Sequence, residues 1–248
     1  LRSAIDIRIT IPQLTDKSMP GTFSTRSFFL ITLGVSILLA LMPVLWPQLD
    51  ILVASYFFQL DPPINPSRWV WVTYLNEYTP DLFRGLALFL TAGWILVSLL
   101  RRSHRLGIIL AFTGLSLMLG PGFVTWAVKE HHLRARPMDV VEFGGQRQFT
   151  PALQQTNQCQ DNCAFTSGHV ACGFFLASLM LLHPRRRWAW LGLGIGAGFL
   201  LGIARMAVGA HWLSDVLWAF PITLASSALV WLILNFFYKH GSQTQRFK

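Results

Sequence analysis

Three short stretches of this sequence hold residue types that, at their spacing, suit chemistry on a phosphate group. They are Lys129-Glu130-His131-His132-Leu133-Arg134-Ala135-Arg136-Pro137, Thr166-Ser167-Gly168-His169, and the run from Arg205 through His211 to Asp215. One Lys and two Arg around a single point suit a phosphate, because a guanidinium offers paired hydrogen bonds to its oxygens. The same cations stabilise the charge on the oxygens of a phosphoryl group in transfer. Backbone N–H groups near Gly168, at a helix start, add donors and a favourable dipole end. A neutral imidazole attacks phosphorus and carries the phosphoryl group. A second imidazole protonates the departing oxygen and then activates water. Spacing by four puts His211 and Asp215 on one helical face, where the carboxylate holds the ring's tautomer and raises its basicity.

These stretches can meet only if the elements carrying them end at one place. The chain has 248 residues, 53% hydrophobic and 12% charged, with ten Trp and nineteen Phe, and its mean hydropathy is +0.47. Soluble domains carry about 25% charged residues, so this composition belongs to a membrane protein and excludes disorder. Spanning helices need about 20 mostly apolar residues. The sequence offers them at 27–46, 81–100, 106–128, 164–182, 188–207 and 212–237, and the expected fold is all-α, polytopic, with six transmembrane helices. The fourth is the least regular, since Ser167, Gly168 and His169 open it. Between the first two, residues 47–80 are rich in Pro and Trp, and the apolar run 49–60 is too short to cross. An interfacial segment is expected there, anchored by Trp69, Trp71 and Tyr74. With this topology the third span leaves the membrane where the fourth enters, and the fifth leaves where the sixth enters. Lys129, Arg136, Ser167, His169, Arg205, His211 and Asp215 then share one face.

The net charge of +9 does not form the continuous basic stripe of a nucleic-acid face. Its clusters, Arg101–Arg105 and His183–Arg187, fall between spans and read as cytoplasmic loops. Arg2, Arg8, Lys17 and Arg26 before the first span, and Lys239, Arg246 and Lys248 after the last, lie on that same side. The expected organisation is a cytoplasmic segment 1–26, a single membrane domain 27–238 and a cytoplasmic tail 239–248. The run 27–46 exceeds the roughly 7–15 residues of a signal-peptide core and is read as a retained span. The loop 129–163 carries Lys129, Arg134, Arg136 and Arg147 on the far side, against the positive-inside tendency. Cations placed there point to anion binding.

The three stretches resemble the signature of the type-2 phosphatidic acid phosphatase superfamily, written K-x6-RP, PSGH and SR-x5-H-x3-D. Here they read Lys129-x6-Arg136-Pro137, Ser167-Gly168-His169 and Arg205-x5-His211-x3-Asp215. Every charged and imidazole position matches in order, while Thr166 stands for the family's Pro and Ala204 for its Ser. The resemblance implies His169 as nucleophile, His211 as acid/base and Asp215 as its orienter. It implies Lys129, Arg136, Ser167, Gly168 and Arg205 as phosphate ligands, six helices, no cofactor and no metal requirement.

Arg134 and Arg147 are read as headgroup contacts or as partners of anionic membrane, and His131 and His132 fill variable positions. Cys159 and Cys163 are read as a disulfide in an oxidising compartment; a metal site lacks two further close ligands. Cys172 packs as a small apolar residue, and the glycines at 192, 194, 196, 198 and 202 let a neighbouring helix approach.

The leading function is hydrolysis of a lipid phosphate monoester or pyrophosphate at the periplasmic face of a bacterial inner membrane. Its partners are the lipid substrate and the bilayer. The resemblance extends to phosphatidylglycerophosphate, undecaprenyl-pyrophosphate and lipid A phosphatases, and the Gln-rich loop 138–163 leans toward a saccharide headgroup such as lipid A. A phosphotransferase with a lipid acceptor is the alternative. A transporter would need polar residues along the depth of several helices, whereas these cluster at one end. Vanadium haloperoxidases share a similar constellation but are soluble.

Overall fold

The computed structural model describes residues 24–58, 69–100 and 103–244. The expected amino-terminal segment up to residue 23, with Arg2, Arg8 and Lys17, lies outside the described residues, as do Arg101, Arg102, Arg246 and Lys248. The described part is nearly all helical, with no strand beyond a single bridge between Val140 and Arg147. Helix α1 (Thr25–Leu45) starts at Ser24, whose hydroxyl accepts from Ser27 N at 3.1 Å, satisfying one of the orphan donors of a helix start. Helix α2 (Gln48–Phe58) follows directly, then α3 (Val70–Leu99). Helix α4 (His104–Leu117) runs through a π-helical segment at Met118–Val124, around Pro121, into α5 (Thr125–His132). Helices α6 (Gly168–Ser178), α7 (Arg187–Ala207) and α8 (Leu213–Thr244) follow.

Five helical runs are long and apolar enough to cross a membrane: Thr25–Leu45, Val70–Leu99, His104–Asp139, Pro184–Ala207 and Leu213–Phe237. The expected fourth span is shorter than its sequence reading, covering Gly168–Leu181 rather than 164–182. Its position accounts for this. Helix α6 packs against α7, α8 and α3, and eight of its eleven residues are buried, so protein surrounds it where lipid would. The lipid face belongs to the outer helices, through exposed Leu38, Leu88, Phe89, Leu99, Leu232 and Phe236.

Close packing of α6 on α7 depends on Gly194 and Gly198, where an added Cβ would collide with Ala177 and the Phe174 ring. Gly192 and Gly196 face open space, so the expectation of close approach holds for only part of that stripe. The same Phe174 ring stacks on Phe220 of α8 with centroids 4.6 Å apart.

The largest departure concerns residues 69–80. Residues 70–80 are the first three turns of α3, which begins at Val70 instead of 81 and has Trp69 as its N-cap. Pro80 lies inside this helix. Only α2 keeps the expected short, non-crossing character. The tail from residue 239 also begins as helix, since α8 extends to Thr244.

Candidate active site

Hydrogen bonds to backbone carbonyls tie the first stretch and its flank to the segments that carry the other two. Helix α5 stops at Leu133, whose left-handed conformation (φ 47°) turns the chain out of the helix. The chain then runs extended past Arg134 and Arg136. Ala164 N donates to Arg134 O at 2.9 Å, and Met138 N donates to Gly209 O at 3.0 Å. The Trp212 indole N–H donates to Ala135 O at 2.8 Å. Gly209 has φ +66°, and a Cβ there would press on the Phe58 ring and on Met138. Only glycine combines that backbone with that closeness.

The structure brings the cations and imidazoles into one neighbourhood. Lys129, Arg205, Arg136 and His169 all lie near enough for their charges to act on His211. His211 itself is buried in the turn between α7 and α8. Burial first, and then the positive charges of Lys129, Arg205 and Arg136, hold its pKa well below the ordinary imidazole value. Several buried polar atoms here have no hydrogen-bond partner in the protein: Arg136 Nη2, Arg205 Nε, Ser167 Oγ and Thr166 Oγ1. Unpaired buried donors cost about 1–3 kcal/mol each. An anion with several acceptor oxygens would satisfy them together.

His169 opens α6 and meets α3. Its Nε2 lies 3.1 Å from Asn76 O. A carbonyl only accepts, so this nitrogen carries the hydrogen and the other ring nitrogen holds the lone pair. The Asn76 carbonyl is free for this bond because its helical partner four residues on is Pro80, which has no N–H. The Asn76 side chain accepts from Arg205 Nη1 at 2.6 Å and donates to Ala204 O at 3.1 Å. One residue of α3 therefore holds both an imidazole and a guanidinium of the site. Sequence reading misses Asn76, because it places residues 47–80 in a connecting segment. A lone amide at the end of a Trp-rich run, four residues before a proline, was the available signal.

Asp215 accepts from Trp212 N at 2.8 Å through Oδ2, reaching back across the first turn of α8 as an acidic residue does in a capping box. The same oxygen is 3.5 Å from His211 Nδ1, an open contact rather than a closed hydrogen bond. The other oxygen accepts from Arg134 Nη1 at 2.8 Å.

Arg134 is not at a headgroup, contrary to expectation. It is 1% exposed and spends its donors internally, on Asp215, Ser214 Oγ, Asp50 Oδ2 and Thr150 O. Trp212 and Phe149 cover its guanidinium at 5.3 and 5.6 Å. A charge so buried survives only when paired, and the two carboxylates pair it. Arg147 is exposed on the loop. Asp50 and Ser214 lie outside the sequence expectations; a single carboxylate in the apolar run 49–60 is the signal for the first.

Cys159 and Cys163 are joined, with Cα atoms 5.6 Å apart. The carbonyl of Asn162, inside that small ring, accepts from Arg136 Nε at 2.8 Å. Cys172 is buried and free. Among the described residues no group of three or more His, Cys, Asp or Glu is placed to hold a metal ion.

The helices define an integral-membrane protein, and the candidate site within it is a cluster of three cations and two imidazoles at one end of the bundle. The chain belongs to the PAP2 superfamily, whose family model matches residues 109–239 and so takes in all three stretches, and it is a lipid phosphatase of that family. It is 27% identical over 202 residues to a lipid A 4'-phosphatase of Francisella tularensis subsp. novicida, covering 77% of this chain and 88% of the relative. A Rhizobium etli lipid A 4'-phosphatase is 36% identical over 103 residues, covering 41% of this chain and 40% of that one. Phosphatidylglycerophosphatase B of Escherichia coli is 28% identical over 188 residues, 64% of this chain and 71% of that one. The crystal structure of a transmembrane PAP2 type phosphatidylglycerolphosphate phosphatase from Bacillus subtilis superposes with a TM-score of 0.47 at 18% identity, over 86% of this chain and 94% of that chain.

Proposed function

We propose that this protein hydrolyses a phosphate monoester on a saccharide-bearing lipid of the lipid A type, at the periplasmic face of a bacterial inner membrane. The observation that carries the reading is the set of buried, unpartnered donors on Arg136, Arg205 and Ser167, gathered around two imidazoles. Similarity to lipid A 4'-phosphatases over most of the Francisella relative's length supports the substrate class. The exposed glutamines of the loop, Gln146, Gln148, Gln154 and Gln155, supply hydrogen-bonding groups for sugar hydroxyls beside the pocket. The orientation rests on the basic turn at Pro184–Arg186, at the opposite end of α6 from His169, which suits the cytoplasmic side.

The chemistry follows from the side chains. Lys129, Arg136 and Arg205 hold the phosphate oxygens and offset charge as it builds on them. The free ring nitrogen of His169 attacks phosphorus; the N–P bond forms as the P–O bond to the lipid breaks. The proton of the His211 imidazolium goes to the departing lipid oxygen. Water then attacks phosphorus, the N–P bond breaks, and His211 takes the water's proton. Inorganic phosphate leaves with both rings as they began. Phosphate dianion offsets the three cations, so binding it raises the proton affinity of His211 and prepares the acid it must be.

The decisive experiment is phosphate release by the purified protein across a panel of lipids: lipid A, phosphatidylglycerophosphate and undecaprenyl pyrophosphate, with a His169→Ala control. Preference for lipid A at its 4'-phosphate is the expected result. Equal turnover of all three would remove the saccharide-headgroup reading, and full activity of His169→Ala would remove the phospho-histidine.

A further inference from the structure

Asp50 belongs to none of the three stretches, yet its carboxylate is fully buried beside them. It accepts from Arg134 Nη2 at 2.8 Å, from Ser214 N at 2.8 Å and from Ser214 Oγ at 2.6 Å. Arg134 is bound at the same time to Asp215. One guanidinium thus serves two carboxylates, and the buried trio carries a net charge of −1. If Asp50 were neutral, Arg134 would belong to Asp215 alone and the local sum would be zero.

That difference bears on His211. Its surroundings carry Lys129 from α5, Arg136 from the loop after α5, Arg205 from α7 and His169 from α6, all disfavouring a proton. Facing them is Asp215 from α8, with Arg134 and Asp50 of α2 behind it. The residual negative charge of the trio is the nearby compensation for an imidazolium among three cations. We propose that Asp50, by sharing the Arg134 guanidinium with Asp215, leaves the buried trio the net negative charge that protonated His211 needs, and so is a positioning residue for proton transfer to the leaving oxygen. This rests on the reading of His211 as the proton donor.

The test is Asp50→Asn, which keeps the shape and removes the charge. It is assayed on a lipid phosphate with an alkoxide leaving group and on p-nitrophenyl phosphate, which needs no proton to leave. At neutral pH kcat on the lipid should fall about tenfold, a part of what general acid catalysis contributes, while kcat on the aryl ester changes less than about twofold. The lipid optimum should move to lower pH by about half a unit, with KM unaltered because no phosphate ligand is touched. Ser214→Ala, which removes a hydroxyl tether of Asp50 and no charge, should leave both the leaving-group ratio and the optimum in place. These are ratios and profile shapes, so a reduced yield of folded protein does not alter them.

Equal losses on both substrates with an unmoved optimum would overturn the inference, as would the same shift in Ser214→Ala. His211→Ala, run alongside, separates the two levels. If it discriminates between leaving groups and Asp50→Asn does not, Asp50 has only a structural role. If His211→Ala fails to discriminate, the proton-donor reading falls and this inference with it.

Discussion

Pro80 and His169 are tied through a single carbonyl. Pro80 cannot donate to Asn76 O, and His169 Nε2 takes up that oxygen at 3.1 Å. A proline within a long helix usually costs about 3 kcal/mol; here the group it strands becomes the orienting partner of an imidazole. Pro80→Ala restores the helical N–H, which then competes for the same carbonyl. Turnover of an aryl phosphate should fall several-fold with KM little changed, and steady-state assays check it.

Asn76→Ala tests the other half of that residue. Arg205 Nη1 loses its 2.6 Å acceptor, a hydrogen bond to a charged group worth about 1.5–3 kcal/mol. Substrate affinity should weaken roughly ten- to a hundredfold, read as a rise in KM. An unchanged KM would detach Arg205 from phosphate binding.

His169→Ala should abolish turnover, because no other residue is positioned to accept the phosphoryl group in the proposed scheme. His211→Ala should recover part of its activity on an activated aryl phosphate. Rapid quenching of the wild-type protein with labelled substrate should trap an acid-labile phosphoprotein, absent from His169→Ala.

The depressed pKa of His211 has a stability consequence with a definite sign. The unfolded chain binds a proton there as pH falls through about 6.5, the ordinary value, while the folded chain refuses it until much lower pH. The unfolded state therefore holds more protons in that window, and stability falls as pH drops through it. The melting temperature of the wild type should decline more steeply below pH 6.5 than that of His211→Asn. Phosphate binding should be accompanied by proton uptake, measurable by titration calorimetry in buffers of different ionisation enthalpy.

The Cys159–Cys163 ring presents the Asn162 carbonyl to Arg136 Nε. Reduction, or Cys159→Ser with Cys163→Ser, should raise KM several-fold without abolishing kcat. Alkylation and mass spectrometry of native membranes check the pairing; two freely labelled thiols would contradict it.

The membrane class, the helical fold and the three family stretches were legible in the sequence, and for one reason. Hydrophobic run length and fixed local spacing are one-dimensional properties, and a span's length determines at which face its ends emerge. Lys129, His169, Arg205 and His211 could thus be brought together on paper. What tertiary structure alone decided was the partners that lie far along the chain. Arg134 looked like a surface cation until Asp50, 84 residues away, and Asp215, 81 residues away, were seen to bury it. Asn76 looked like part of a connection until α3 proved to start at Val70 and bring it to His169, 93 residues on. Charge burial and carbonyl pairing depend on which surfaces face each other, and no local spacing encodes that.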